Sequence, residues 1–97
     1  MKTIVLKNKN KNKDTRTTLY VTICKRWLRI EENFSFFYEE GGYWEDCGTN
    51  VIDGAKIKRP ISRVLQDLPE EQAIKKIVEL KLLNKENIKY LMSFKVA

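Results

Sequence analysis

Residues 17–47, TTLYVTICKRWLRIEENFSFFYEEGGYWEDC, decide how this chain folds. Leu19, Val21 and Ile23 alternate with Tyr20, Thr22 and Cys24, the period of two that a pleated strand requires, and the β-branched residues suit it. After Lys25 the apolar positions change parity to Leu28 and Ile30. That switch predicts one long strand over 17–30, bulged or bent near residues 25–26, with Trp27 facing away from Leu28. Glu31, Glu32 and Asn33 read as a polar turn into a further strand over 34–38. Glu39-Glu40-Gly41-Gly42 supplies the glycines of a tight hairpin, and residues 43–47 return as its second strand. Eight of the ten aromatic residues fall between Tyr20 and Trp44. These strands are expected to form the core floor on which C-terminal helices sit.

On the N-terminal side, residues 2–7 alternate loosely around Ile4, Val5 and Leu6 and predict a short first strand. The run KNKNKNKD, residues 7–14, has no apolar residue and reads as a mobile hairpin connection, or as a basic arm for phosphate. On the C-terminal side, Asp53-Gly54 is a turn dipeptide within a stretch that is either a small hairpin or an irregular connection. From Pro60 the period becomes helical: Ile61, Val64, Leu65 and Leu68 recur on one face. Asp67 with Glu70 resembles a capping box opening a second helix with Ile74, Ile77 and Val78 inward. Asn84 can cap a short third helix bearing Ile88, Leu91 and Met92, and residues 94–96 are a tail or a last edge strand.

The expected fold is therefore α+β. An antiparallel sheet of three to five strands, a β-meander over about residues 2–58, is packed by two or three helices over about 60–93. Ninety-seven residues with 42% hydrophobic content make a single domain, 1–97, with one core. No apolar run approaches the eighteen or so residues of a membrane span. The opening MKTIVLK is too short in apolar residues for a secretory signal, so the expected location is cytoplasmic. Cys24 and Cys47 are too few for a disulfide framework. They are expected to be free, buried thiols, with pairing the alternative.

Charge is segregated along the chain. The net charge of +6 divides into a basic stretch over 1–29 with nine Lys/Arg and one acid, an acidic stretch over 31–53 with seven acids and no Lys or Arg, and a basic remainder. Histidine is absent, which removes the His-based triads and general bases, and no metal or other cofactor is expected. An enzyme is not the expected reading.

The acidic, aromatic segment YEEGGYWED, residues 38–46, is the first candidate site. Glu39, Glu40, Tyr43, Trp44, Glu45 and Asp46 combine rigid contact area with carboxylates that suit a protein partner with a basic surface, such as a nucleic-acid-handling complex. The bland alternative folds Tyr43 and Trp44 into the core, and a carboxylate pair for Mg²⁺ or Ca²⁺ lacks a recognisable loop spacing. The second candidate is basic. Lys9, Lys11 and Lys13, with Lys25, Arg26, Trp27 and Arg29, could hold phosphate and stack a base, although Lys25, Arg26 and Arg29 could simply pair with the neighbouring acidic strand. Lys56, Lys58, Arg59 and Arg63 surround the start of the first helix, a weaker anion signal. The helical tail offers a helix-turn-helix only by its short connection at 83–85.

Three functions fit these features: an inhibitor or modulator that occupies a surface of a larger protein; a small nucleic-acid-binding module; and a histidine-free toxin-type ribonuclease using Arg26, Arg29 and Tyr20. In size and character the chain is similar to the phage and plasmid accessory proteins that block host defence, the anti-CRISPR proteins included. The likeness is one of kind, and no particular residues carry it.

Overall fold

The computed structural model describes residues 1–8 and 14–97; the predicted basic arm at Lys9, Lys11 and Lys13 lies outside the described residues. The fold is α+β: the described residues form a five-stranded antiparallel sheet and three helices. The strands are β1 (Lys2–Asn8), β2 (Thr15–Ile23), β3 (Trp27–Tyr38), β4 (Tyr43–Lys56) and β5 (Phe94–Val96), in the order β4-β3-β2-β1-β5. The first four form the expected meander. Helices α1 (Arg59–Asp67), α2 (Glu70–Glu79) and α3 (Lys85–Met92) connect β4 to β5, which closes the far edge against β1.

Several boundaries differ from the sequence reading, for one reason. The parity change at Lys25 is not a bulge within one strand but the turn between β2 and β3, where the Cys24 N–H donates to the Trp27 carbonyl. Glu31, Glu32 and Asn33 are not a turn; they lie mid-strand in β3, paired with Tyr20, Leu19 and Thr18. Asp53-Gly54 likewise runs inside β4. Local polarity suggested turns at both places, and cross-strand pairing overrode it. The bulges occur in β4 instead, between the Ile30 and Glu31 pairings and between those of Asn33 and Ser35, where Gly48 takes φ +101°.

Pairing puts Ile4, Leu6, Leu19, Val21, Ile23, Leu28 and Ile30 on one sheet face. The helices bury Leu65, Ala73, Ile77 and Leu91 against that face, and the α2–α3 connection adds Leu83. This core is aliphatic, which corrects the aromatic floor expected above. Phe94 is its only aromatic member among the described residues, and no residue of 34–44 belongs to it or packs on it.

Side chains and caps lock the helices to the sheet. Ser62 is buried; its Oγ donates to the Cys24 carbonyl at 2.7 Å and accepts from Gln66 Nε2 at 3.0 Å. Lys2 Nζ donates to the carbonyls of Gln66 and Leu68 at the end of α1. Asn84 caps α3 as predicted, its side chain accepting from Glu86 N. The capping box at Asp67 is not formed, because Asp67 still belongs to α1 and Pro69 holds the N-cap position of α2. Val64 and Met92, apolar residues named in the helical patterns of α1 and α3, are exposed. Both cysteines are free, and Cys47 is exposed rather than buried.

Candidate functional site

The molecule measures 50 × 23 × 20 Å, and the two candidate surfaces lie toward opposite ends of β3. Twelve residues separate them, roughly 37 Å along a strand. Strand β3 begins at Trp27, beside the basic turn 24–26, and ends at Tyr38, beside the acidic turn 39–42.

At the acidic end, β3 and β4 continue past the helices as a ribbon. The register puts Tyr38 opposite Tyr43 and Phe36 opposite Glu45 on the helix-facing side, and Phe37 opposite Trp44 on the other. Tyr38 and Tyr43 contact one another with centroids 5.5 Å apart. Gly41 makes that contact feasible, since a Cβ there would run into the Tyr43 ring. Gly42 takes φ +66° to complete the turn. Phe34, Tyr38 and Tyr43 are 41%, 39% and 51% exposed, values that exclude a core role. Among the described residues Glu39 and Glu45 make no ion pair; Glu40 accepts a hydrogen bond from the Tyr38 hydroxyl at 3.1 Å.

Trp44 and Asp46, two of the six residues expected to contact a partner, are held by side chains of β2 and β3. Trp44 is half-buried between Phe37, 5.5 Å away, and the Arg16 guanidinium, 3.6 Å above its ring. Asp46 accepts from Gly48 N at 2.8 Å and from Asn33 Nδ2 at 2.9 Å, and these bonds hold its carboxyl below the usual range. Glu39, Glu40, Tyr43 and Glu45 point outward, and Phe34 and Tyr38 join them. The sequence reading took the strand over 34–38, which carries Phe34 and Tyr38, as part of the core floor. Nothing in a period of two says where the covering helices stop.

No protein-family model, curated protein or solved structure matches the chain.

At the basic end, Lys25 and Arg26 occupy the turn and are exposed, without ion pairs among the described residues. Trp27 is 38% exposed on the sheet face opposite the helices, and the Arg29 guanidinium lies 5.0 Å from its ring centroid. Arg29 Nε sits 3.2 Å from Glu31 Oε1 without hydrogen-bond alignment, so the pairing expected with the acidic strand is confined to Arg29 and runs along β3 itself. Tyr20 shares this face, paired in register with Glu31, while Arg26 stays in the turn. Among the described residues no group of three His, Cys, Asp or Glu is placed to hold a metal ion, and no helix is long and apolar enough to cross a membrane.

Where the two halves of the sheet meet, α3 is anchored by polar contacts. Burial works to raise the Asp53 pKa, but hydrogen bonds from Asn87 Nδ2, Asn84 N and Gly54 N outweigh it and leave the carboxyl below its ordinary range. The Tyr90 hydroxyl donates to Glu32; burial, that hydrogen bond and the carboxylate charge push its pKa up to about 12.

Proposed function

We propose that this chain is a non-enzymatic binding protein that docks the tip of the β3–β4 ribbon on a basic surface of a larger protein and blocks that surface by occupying it. The observation that carries this reading is the exposure of Phe34, Tyr38 and Tyr43, standing clear of the core and rimmed by Glu39, Glu40 and Glu45. Such rings give large contact area at little cost in side-chain entropy, and aromatic anchors supply much of the energy at protein interfaces. The carboxylates favour a basic partner and speed its encounter. A nucleic-acid-handling complex offers such a surface in its own binding groove. An accessory protein of the phage or plasmid anti-defence kind, the anti-CRISPR class included, acting in the cytoplasm, is the role that this surface suits.

The test is comparative capture from extracts of candidate host cells, using wild type and Tyr43→Ala with Glu40→Lys, each first checked for an unchanged melting curve. A partner held by the ribbon is retained by wild type and lost from the variant. A hot-spot loss of about 2 kcal/mol corresponds to roughly thirtyfold in affinity. Equal recovery of the same partners by both proteins sinks the proposal.

A further inference from the structure

The opposite end of the molecule carries two depressions that the ribbon does not use, one on each side of the turn 24–26. On the helix-free sheet face, a shallow hollow of about 350 Å³ is lined by Trp27, Leu28, Arg29, Val51, Gly54, Ala55 and Lys56. Its width comes from the pairing: Arg29 lies opposite Gly54, so β4 offers no side chain there, and Trp27 with Lys56 forms one wall. A Cβ on Gly54 would stand 3.3 Å from the Leu28 carbonyl and take up part of this space. On the helix side, a second hollow of about 170 Å³ is lined by Lys25, Arg59, Ser62, Arg63, Gln66 and Asp67. It holds three cations and one carboxylate. Ser62 fixes its floor by bonding the turn carbonyl at Cys24.

We infer that this end binds single-stranded nucleic acid, with a base stacked on Trp27 in the first hollow and backbone phosphate held by Lys25, Arg59 and Arg63 in the second. Three observations favour this occupant. The first hollow presents an exposed indole and a planar guanidinium 5.0 Å from its ring, the combination on which unpaired bases stack. Lys56 lines the first hollow, Lys25, Arg59 and Arg63 line the second, and Arg26 lies in the turn between Lys25 and Trp27; none of the five makes an ion pair among the described residues, so their charge is available to phosphate. Of the nearby acids, Glu31 is turned to Arg29, leaving Asp67 as the one carboxylate in the lining. Duplex DNA suits the site less well, because a paired base keeps its face inside the stack and the hollow has no protruding helix or ribbon to enter a groove.

This inference does not rest on the ribbon's proposed role, and one titration separates them. Labelled oligo(dT) and oligo(U) strands of about twelve nucleotides, a length within the usual site sizes, are titrated by fluorescence anisotropy beside a duplex of equal length. At least one strand is expected to bind at low salt, at least about tenfold more tightly than the duplex. Trp27→Ala is expected to weaken that binding about tenfold and Trp27→Phe to restore most of it, as stacking requires. Arg59→Ala with Arg63→Ala is expected to flatten the slope of log affinity against log salt by about 1.4, at roughly 0.7 per phosphate contact on a single strand. Tyr43→Ala, which disables the ribbon, leaves all of this unchanged. Failure of both strands to bind, duplex binding of equal strength, or indifference to Trp27→Ala in a variant with an unchanged far-ultraviolet dichroism spectrum each overturns the inference.

Discussion

Strand β3 is two different environments joined end to end. Its even-numbered residues share one face from Leu28 to Tyr38, yet Leu28 and Ile30 are 1% and 0% exposed while Phe34 and Tyr38 are near 40%. Local pattern does not distinguish the halves; both alternate, and the outer half is the more aromatic. What differs is the layer above. Helices cover the sheet as far as Glu32, where Tyr90 makes its hydrogen bond, and beyond that point the same face meets solvent. Burial in this protein is thus a property of coverage, and hydrophobic residues left uncovered are free to contact another molecule.

The sharpest way to break this comparison is to truncate one residue in each half. Ile30→Ala removes a fully buried side chain and is expected to cost about 2–5 kcal/mol in urea denaturation. Phe34→Ala, on the same face four residues later, is expected to cost less than about 1 kcal/mol. Equal losses would mean that the ribbon belongs to the core after all. A smaller effect tests polar contacts. Ser62→Ala takes the hydrogen-bond partner from the Cys24 carbonyl beneath α1 and from the Gln66 side chain one turn along α1, with an expected loss of about 1–3 kcal/mol. Asn33→Ala breaks four hydrogen bonds in the ribbon but leaves their partners within reach of water, and is expected to lose less than half as much.

The smallest effect lies at the border. Tyr90 has its pKa raised on folding, so the neutral hydroxyl is the stabilising form. Its contribution is complete below pH 10 and is lost as pH rises from about 10 to about 12. The side chain is more than a third exposed, so solvent reduces that contribution to about 1 kcal/mol at most. Tyr90→Phe is expected to flatten the alkaline limb of a stability-against-pH curve; an unchanged limb would assign it to other groups.

Much of the architecture was legible before any coordinates. The alternation of Leu19, Val21 and Ile23 announced β2, the Glu39–Gly42 segment announced the hairpin, Pro60 the first helix and Asn84 the cap of the third. Of the ribbon residues named from sequence, Glu39, Glu40, Tyr43 and Glu45 stand outward. Trp44 and Asp46 are engaged by Arg16 and Asn33, partners distant in sequence that no local pattern reveals. The pairing of Arg29 with Gly54 was equally hidden, since it depends on both bulges in β4, at residues 46–49 and 51–53, which successively shift the register of the strand beyond them.

By itself the sequence determined the α+β class, the order of an N-terminal sheet before C-terminal helices and the separation of basic from acidic charge, because periodicity and charge are written residue by residue. The tertiary structure alone decided where strands turn, which face the helices cover and which rings stay in water. Those outcomes depend on register and coverage between segments far apart in the chain, and alternation along a single strand fits a buried face and an exposed one equally well.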